Sequence, residues 1–90
     1  MRVALICHDK PGHLQTRLDT RAAHLAHIKS SGVVEMAGPL LDDQGQMTGS
    51  LVVLNVDTLD QARAWAAADP YAQAGLFERV TLTEWKKVIG

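Results

Sequence analysis

The chain has 90 residues, 47% hydrophobic and 21% charged, with nine Lys and Arg against ten Asp and Glu for a net charge of −1. That length holds one hydrophobic core and no second, and the composition is globular rather than disordered or membrane-spanning. No basic run is present to neutralise a phosphate backbone, which excludes nucleic acid as the main partner, and the single cysteine, Cys7, excludes an intrachain disulfide.

The first element is a strand over residues 2–8, where Val3-Ala4-Leu5-Ile6-Cys7 is apolar throughout, as in a strand covered on both faces. His8-Asp9-Lys10 ends this run too early for a secretory signal or a membrane span, so the expectation is a soluble cytoplasmic domain with no membrane partner. Asp9-Lys10-Pro11-Gly12 is turn chemistry. A helix follows over residues 13–30, with Leu14, Leu18, Ala22, Leu25 and Ile28 spaced by three and four as one apolar stripe, and with Gly32 placed to end it. Residues 33–41 form a second strand interrupted by Gly38-Pro39. A proline cannot donate to a ladder, so this strand is an edge or is bent there.

Asp42-Asp43-Gln44-Gly45 is a hairpin turn, and a third strand covers residues 47–56 with Leu51-Val52-Val53-Leu54 at its centre. Asp57 or Thr58 caps a second helix over residues 59–68, whose Leu59, Ala62 and Ala66 make a small inward face. Asp69-Pro70 stops that helix, because the residue before a proline is driven out of helical geometry. Residues 71–75 read as a turn, and 77–88 as a last strand carrying Val80, Leu82 and Trp85. The order βαββαβ is the α+β, ferredoxin-like arrangement: a four-stranded antiparallel sheet with two helices on one face. The other face needs a cover, and a second copy of the chain, sheet against sheet, is the economical one.

Two side chains on the first helix stand out. Arg21 falls close to the middle of the expected inward arc, where a guanidinium either meets an anionic or carbonyl partner or snorkels past the stripe to water. His24 is at the edge of the same stripe. It is read either as a proton-transfer group oriented by a carboxylate or as a partly buried histidine satisfied by a backbone carbonyl. Asp69 is the candidate carboxylate, since it lies at a helix C-terminus where the dipole disfavours it unless something local compensates; the alternative is a simple turn former before Pro70. Ser50, after Gly49, has no nucleophile elbow around it. His8, His13, His24 and His27 show no metal-ligand spacing, and His27 is expected on the polar side, so neither metal nor cofactor is expected. Cys7 reads as a small core residue, and Tyr71 as the aromatic best placed to touch a ligand.

Taken together, the first strand, Arg21-x-x-His24-Leu25, Ala37-Gly38-Pro39, Gly49-Ser50, Ala66-Ala67-Ala68-Asp69-Pro70-Tyr71, Ala74-Gly75-Leu76-Phe77 and Trp85-Lys86 resemble the YciI-like (YCII-related) family along nearly the whole chain. The resemblance implies a single domain over residues 1–90, a dimeric α+β barrel with sheets face to face, and a pocket with a His-Asp pair at His24 and Asp69. Arg21, Ser50, Gly38 and Pro39 would line that pocket. It also implies that a few relatives carry out eliminations such as dehydrochlorination of hydroxylated aromatics. Three readings follow. The first is a cofactor-free enzyme of lyase or hydrolase type, moving a proton on a small polar or phenolic ligand. The second is a non-catalytic, metabolite-binding dimer module. The third is a cofactor-free monooxygenase like other dimeric α+β barrels.

Overall fold

A computed structural model describes residues Met1–Gly90. The first strand, β1 (Arg2–Asp9), turns Val3, Leu5 and Cys7 to one face, where each is at most 1% exposed. It pairs antiparallel with β3 (Met47–Asn55), in a register that sets these three beside Leu54, Val52 and Ser50 on the same face. On the other side β1 pairs with β4 (Phe77–Trp85), while β2 (Val34–Leu41) pairs only with β3. The sheet order is β2-β3-β1-β4, so the two strands with continuous apolar runs are central and the Gly38-Pro39 strand is an edge. Pro39 sits where its missing N–H removes no central ladder bond. Gly49 has a different reason to be glycine: a Cβ there would collide with the Cys7 carbonyl of β1, so the side chain must be absent for the strands to close.

The helices α1 (Leu14–Ser31) and α2 (Leu59–Ala68) cover one sheet face. Thr58 is the cap of α2: its hydroxyl accepts from the Gln61 amide at 3.2 Å, and the Gln61 side chain accepts from the Thr58 amide at 3.3 Å. Such a box is worth about 1 kcal/mol. Ala62 and Trp65 of α2 join Val3, Leu5, Leu54 and Val56 in the core.

Helix α1 is rotated relative to the stripe expected from its sequence. The buried residues are Arg17 and His24, whereas Leu18 and Leu25 are 47% and 44% exposed and Ala22 also faces outward. Arg21 is therefore not at the middle of the buried arc; it is exposed, and Arg17, one turn earlier, holds the inward place. The reason is an ion pair with Asp9, described below, which makes the buried centre of the helix polar. His27 also departs from expectation: it is half-buried, stacked at 4.5 Å on Trp65, and its Nε2 donates to the Trp65 carbonyl at 3.1 Å.

The segment after Asp69 is a short helix, α3 (Pro70–Gln73), rather than a turn. Asp69 caps it by accepting from the Tyr71 amide at 3.0 Å, and Pro70 supplies the first helical residue, where a missing N–H costs nothing. Strand β4 ends at Trp85 and does not run on to residue 88. No helix is long and apolar enough to cross a membrane.

Candidate active site

A cavity of about 420 Å3 opens between α1 and the β2–β3 hairpin, within the range of small-molecule sites. One half of its lining is polar: Arg17, Arg21 and His24 from α1, Ser50 from β3, Tyr71 from α3, and Glu35 of β2, which is paired with Arg2. The other half is apolar, with Leu25, Ile28, Val34, Met36, Met47 and Val52. Gly38 and Pro39 belong to the wall made by the edge strand. Every residue singled out in the sequence as a pocket group lines this cavity except Asp69, which stands behind His24 and is 1% exposed.

The His24 Nδ1 and Asp69 Oδ1 atoms are 2.8 Å apart, in a setting where both side chains are almost wholly removed from water. The same Oδ1 accepts from the Tyr71 amide, so the α3 cap and the histidine share one oxygen. A carboxylate only accepts, so a neutral His24 donates from Nδ1 and keeps an unprotonated Nε2 as its free nitrogen. Tyr71 lies against the imidazole with ring centroids 3.9 Å apart and planes 16° from parallel, and Phe77 meets Tyr71 in a T-shaped contact with centroids 6.1 Å apart. The ring is thus fixed in rotation by Asp69 and in tilt by Tyr71.

The second cluster was not foreseen as a site. Arg17 donates from Nε to Asp9 Oδ2 at 2.8 Å and from Nη2 to Asp9 Oδ1 at 2.9 Å, a bidentate fork. Its Nη2 also donates to Ser50 Oγ at 2.9 Å. The guanidinium carbon sits 4.7 Å from the Tyr71 ring centre, which ties this cluster to the histidine through one aromatic ring. Burial opposes the Arg17 charge, but hydrogen bonding and attraction from Asp9 outweigh it and hold the guanidinium ionised. Burial likewise raises the Tyr71 phenol above its usual 10.0, against the lowering pull of Arg17 and Arg21, so it remains a donor at neutral pH. Cys7, opposite Ser50 across the β1–β3 ladder, is pushed up to about 12 by burial and by the Asp69 carboxylate, which leaves it a neutral thiol. No three His, Cys, Asp or Glu side chains are grouped so as to hold a metal ion.

The signal for Asp9 and Arg17 was present but ambiguous. Arg17 shares a helical row with Arg21 and His24, and only the phase of the helix decides which arginine points inward. Asp9 reads as a turn residue until the ion pair is seen.

The YCII-related domain family matches residues 1–86. Protein YciI of Escherichia coli is 38% identical over 97 residues, covering 98% of this chain and 99% of that protein. An uncharacterized protein of Haemophilus influenzae is 35% identical, with the same coverage. Among solved structures, the chain is similar to the 5-chloro-2-hydroxyhydroquinone dehydrochlorinase TftG of Burkholderia phenoliruptrix, in complex with 2,5-dihydroxybenzoquinone. Its TM-score is 0.87 and its identity 33%, over 96% of this chain and 94% of that one.

Proposed function

The chain belongs to the YCII-related domain family, and from that premise we propose that it is a cofactor-independent acid–base enzyme acting on a small hydroxylated, phenolic or enolic molecule, in an elimination of lyase type. The observation that carries this reading is the His24–Asp69 contact at the polar end of a cavity sized for one small ring. The neutral imidazole takes a ligand hydroxyl proton on Nε2, and Asp69 stabilises the imidazolium that results, as a buried carboxylate does for a histidine base. The proton returns from His24 to the ring carbon that bears the leaving group, and loss of a second hydroxyl proton to solvent then expels the anion and leaves a quinone. Arg21 has no carboxylate partner and lines the cavity, so it is the cation available to an anionic group on the ligand. Ser50 and Tyr71 supply hydroxyls, and Gly38-Pro39 shapes the wall. The likeness to a dehydrochlorinase complexed with a dihydroxybenzoquinone favours a hydroxylated six-membered ring as the ligand class.

A homodimer is part of the proposal. The sheet face away from the helices carries Leu51 and Trp85 at 38% and 39% exposure, with Ile6 half-buried between their strands. A second copy laid on this face buries them. Sedimentation should give twice the chain mass, and Leu51→Asp should shift it to the monomer.

The activity is tested with a panel of chlorinated and unchlorinated hydroquinones, monitoring chloride release and ring absorbance. Turnover by the wild type and none by His24→Gln supports the reading. Saturable binding by the wild type with no product from any member makes the chain a binding module instead.

A further inference from the structure

The Arg17–Asp9 pair calls for an explanation that packing does not supply. Removing two charges from water is costly, and apolar residues of similar volume stabilise a core at least as well. Both side chains are nevertheless almost fully buried, at 4% and 7% exposure, with Arg17 in the cavity lining, and neither belongs to the aliphatic core. Outside the pair itself, Arg17 hydrogen-bonds Ser50 and lies over the Tyr71 ring.

The hydrogen inventory shows what that contact does. Arg17 Nη2 has two hydrogens, one on Asp9 Oδ1 and the other on Ser50 Oγ. Ser50 therefore accepts from a cation, and its own O–H donates to no protein atom while the residue lines the cavity. A hydroxyl that accepts from a charged donor becomes a stronger donor itself. Two backbone features hold it in place. Gly49 lets β3 approach the Cys7 carbonyl of β1, and the β1–β4 register shifts between His8 and Asp9, a local irregularity at the residue that supplies the carboxylate.

We infer that the Ser50 hydroxyl, oriented by the Arg17–Asp9 pair, is the donor that holds the ligand oxygen on which negative charge develops when His24 removes a proton. The inference rests on the proton-transfer reading of this site and extends it. Ser50 is the binding group; Arg17 and Asp9 are positioning residues. Ser50 and His24 line the same cavity of about 420 Å3, on either side of the Arg17 and Tyr71 contact, so base and donor are presented to one ligand. The ligand O–H bond breaks and an N–H bond forms on His24, while the electron pair stays on the conjugated oxygens, where Ser50 meets it. This selects ligands whose conjugate base is an enolate or phenolate over those that form an isolated alkoxide.

The test uses 4-nitrophenol, whose phenolate absorbs in the visible. Its ionisation is titrated while it is bound to the full-length protein. In the wild type the bound phenol should ionise about one pH unit or more below the free phenol. In Ser50→Ala it should move back up by about one unit, the size of one charge-assisted hydrogen bond, and Ser50→Thr should retain the wild-type value. Arg17→Lys keeps the charge but not the fork and should follow Ser50→Ala. An unshifted phenol in the wild type, or a shift that survives Ser50→Ala, overturns the inference. If the shift depends on Ser50 but no hydroquinone is turned over, the enzyme reading falls and the oxyanion site stands. If turnover needs His24 but the shift ignores Ser50, only this inference falls.

Discussion

Asp69 and His24 are 45 residues apart in the chain, yet they meet at 2.8 Å through a carboxylate oxygen already committed to the backbone amide of Tyr71. One atom therefore starts α3 and fixes the imidazole. Because Tyr71 also stacks on the same imidazole, Asp69-Pro70-Tyr71 positions the ring from two directions with three consecutive residues.

That arrangement fixes a tautomer. Nitrogen-15 NMR of the wild-type protein should show the neutral His24 ring carrying its proton on Nδ1, with Nε2 bare. Asp69→Ala should lose this preference and destabilise the fold by about 1–3 kcal/mol, since a cap and a buried histidine bond go together. Asp69→Asn retains an acceptor for the Tyr71 amide and should cost clearly less. A wild-type ring protonated on Nε2 would remove the proposed base.

The two arginines of α1 separate structure from ligand binding. Arg17→Ala leaves Asp9 buried and unpaired and should destabilise by about 3–5 kcal/mol in urea unfolding. Arg21→Ala removes an exposed side chain without an ion-pair partner and should leave stability within about 0.5 kcal/mol. It should still weaken binding of an anionic ring measurably. Equal stability losses in the two variants would contradict the observed phase of the helix.

Gly49→Ala introduces a methyl against the Cys7 carbonyl, a rigid backbone atom that cannot give way. The strands must separate at Ser50, so the variant should lose about 1–3 kcal/mol, as over-packed sites do. Ligand binding should fall with it. A wild-type unfolding midpoint would show that β1 and β3 are looser there than described.

Alkaline stability reports on Cys7. The thiol ionises at about 12 in the folded chain, against an ordinary value of 9.0, because burial and then Asp69 oppose the thiolate. Below pH 9 folded and unfolded states both hold the proton and stability is unaffected. Between 9 and 12 the unfolded chain releases a proton that the folded one keeps, so stability falls as pH rises. Tyr71, raised above 10.0 by burial, adds in the same direction. Cys7→Ala should flatten the decline over this window, and Cys7 should resist thiol reagents at pH 8 in the folded protein.

The order of elements and the central places of β1 and β3 were legible because continuous apolar runs and turn residues mark them directly. The edge strand was legible from Pro39. The phase of α1 was not. Leu14, Leu18, Leu25 and Ile28 make a persuasive stripe, but the helix buries the Arg17–His24 line roughly a quarter turn away, because an ion pair to Asp9 and a hydrogen bond to Asp69 draw it inward. Periodicity counts apolar residues and is blind to polar residues buried with partners from other elements. The short helix α3 was missed for a related reason: Asp-Pro signals the end of one helix and the cap of the next equally well.

The groups proposed to carry out the chemistry hang from α1, the central strands and the α2–α3 junction, whereas much of the cavity wall is β2, which is bonded to the sheet along one side only. Substitutions at Met36, Ala37 or Gly38 can change which molecule fits without disturbing the core or the His24 and Arg17 clusters. A chain built this way can diverge in what it acts on while conserving how it acts, so relatives that share the polar end of the cavity are expected to differ first along this strand.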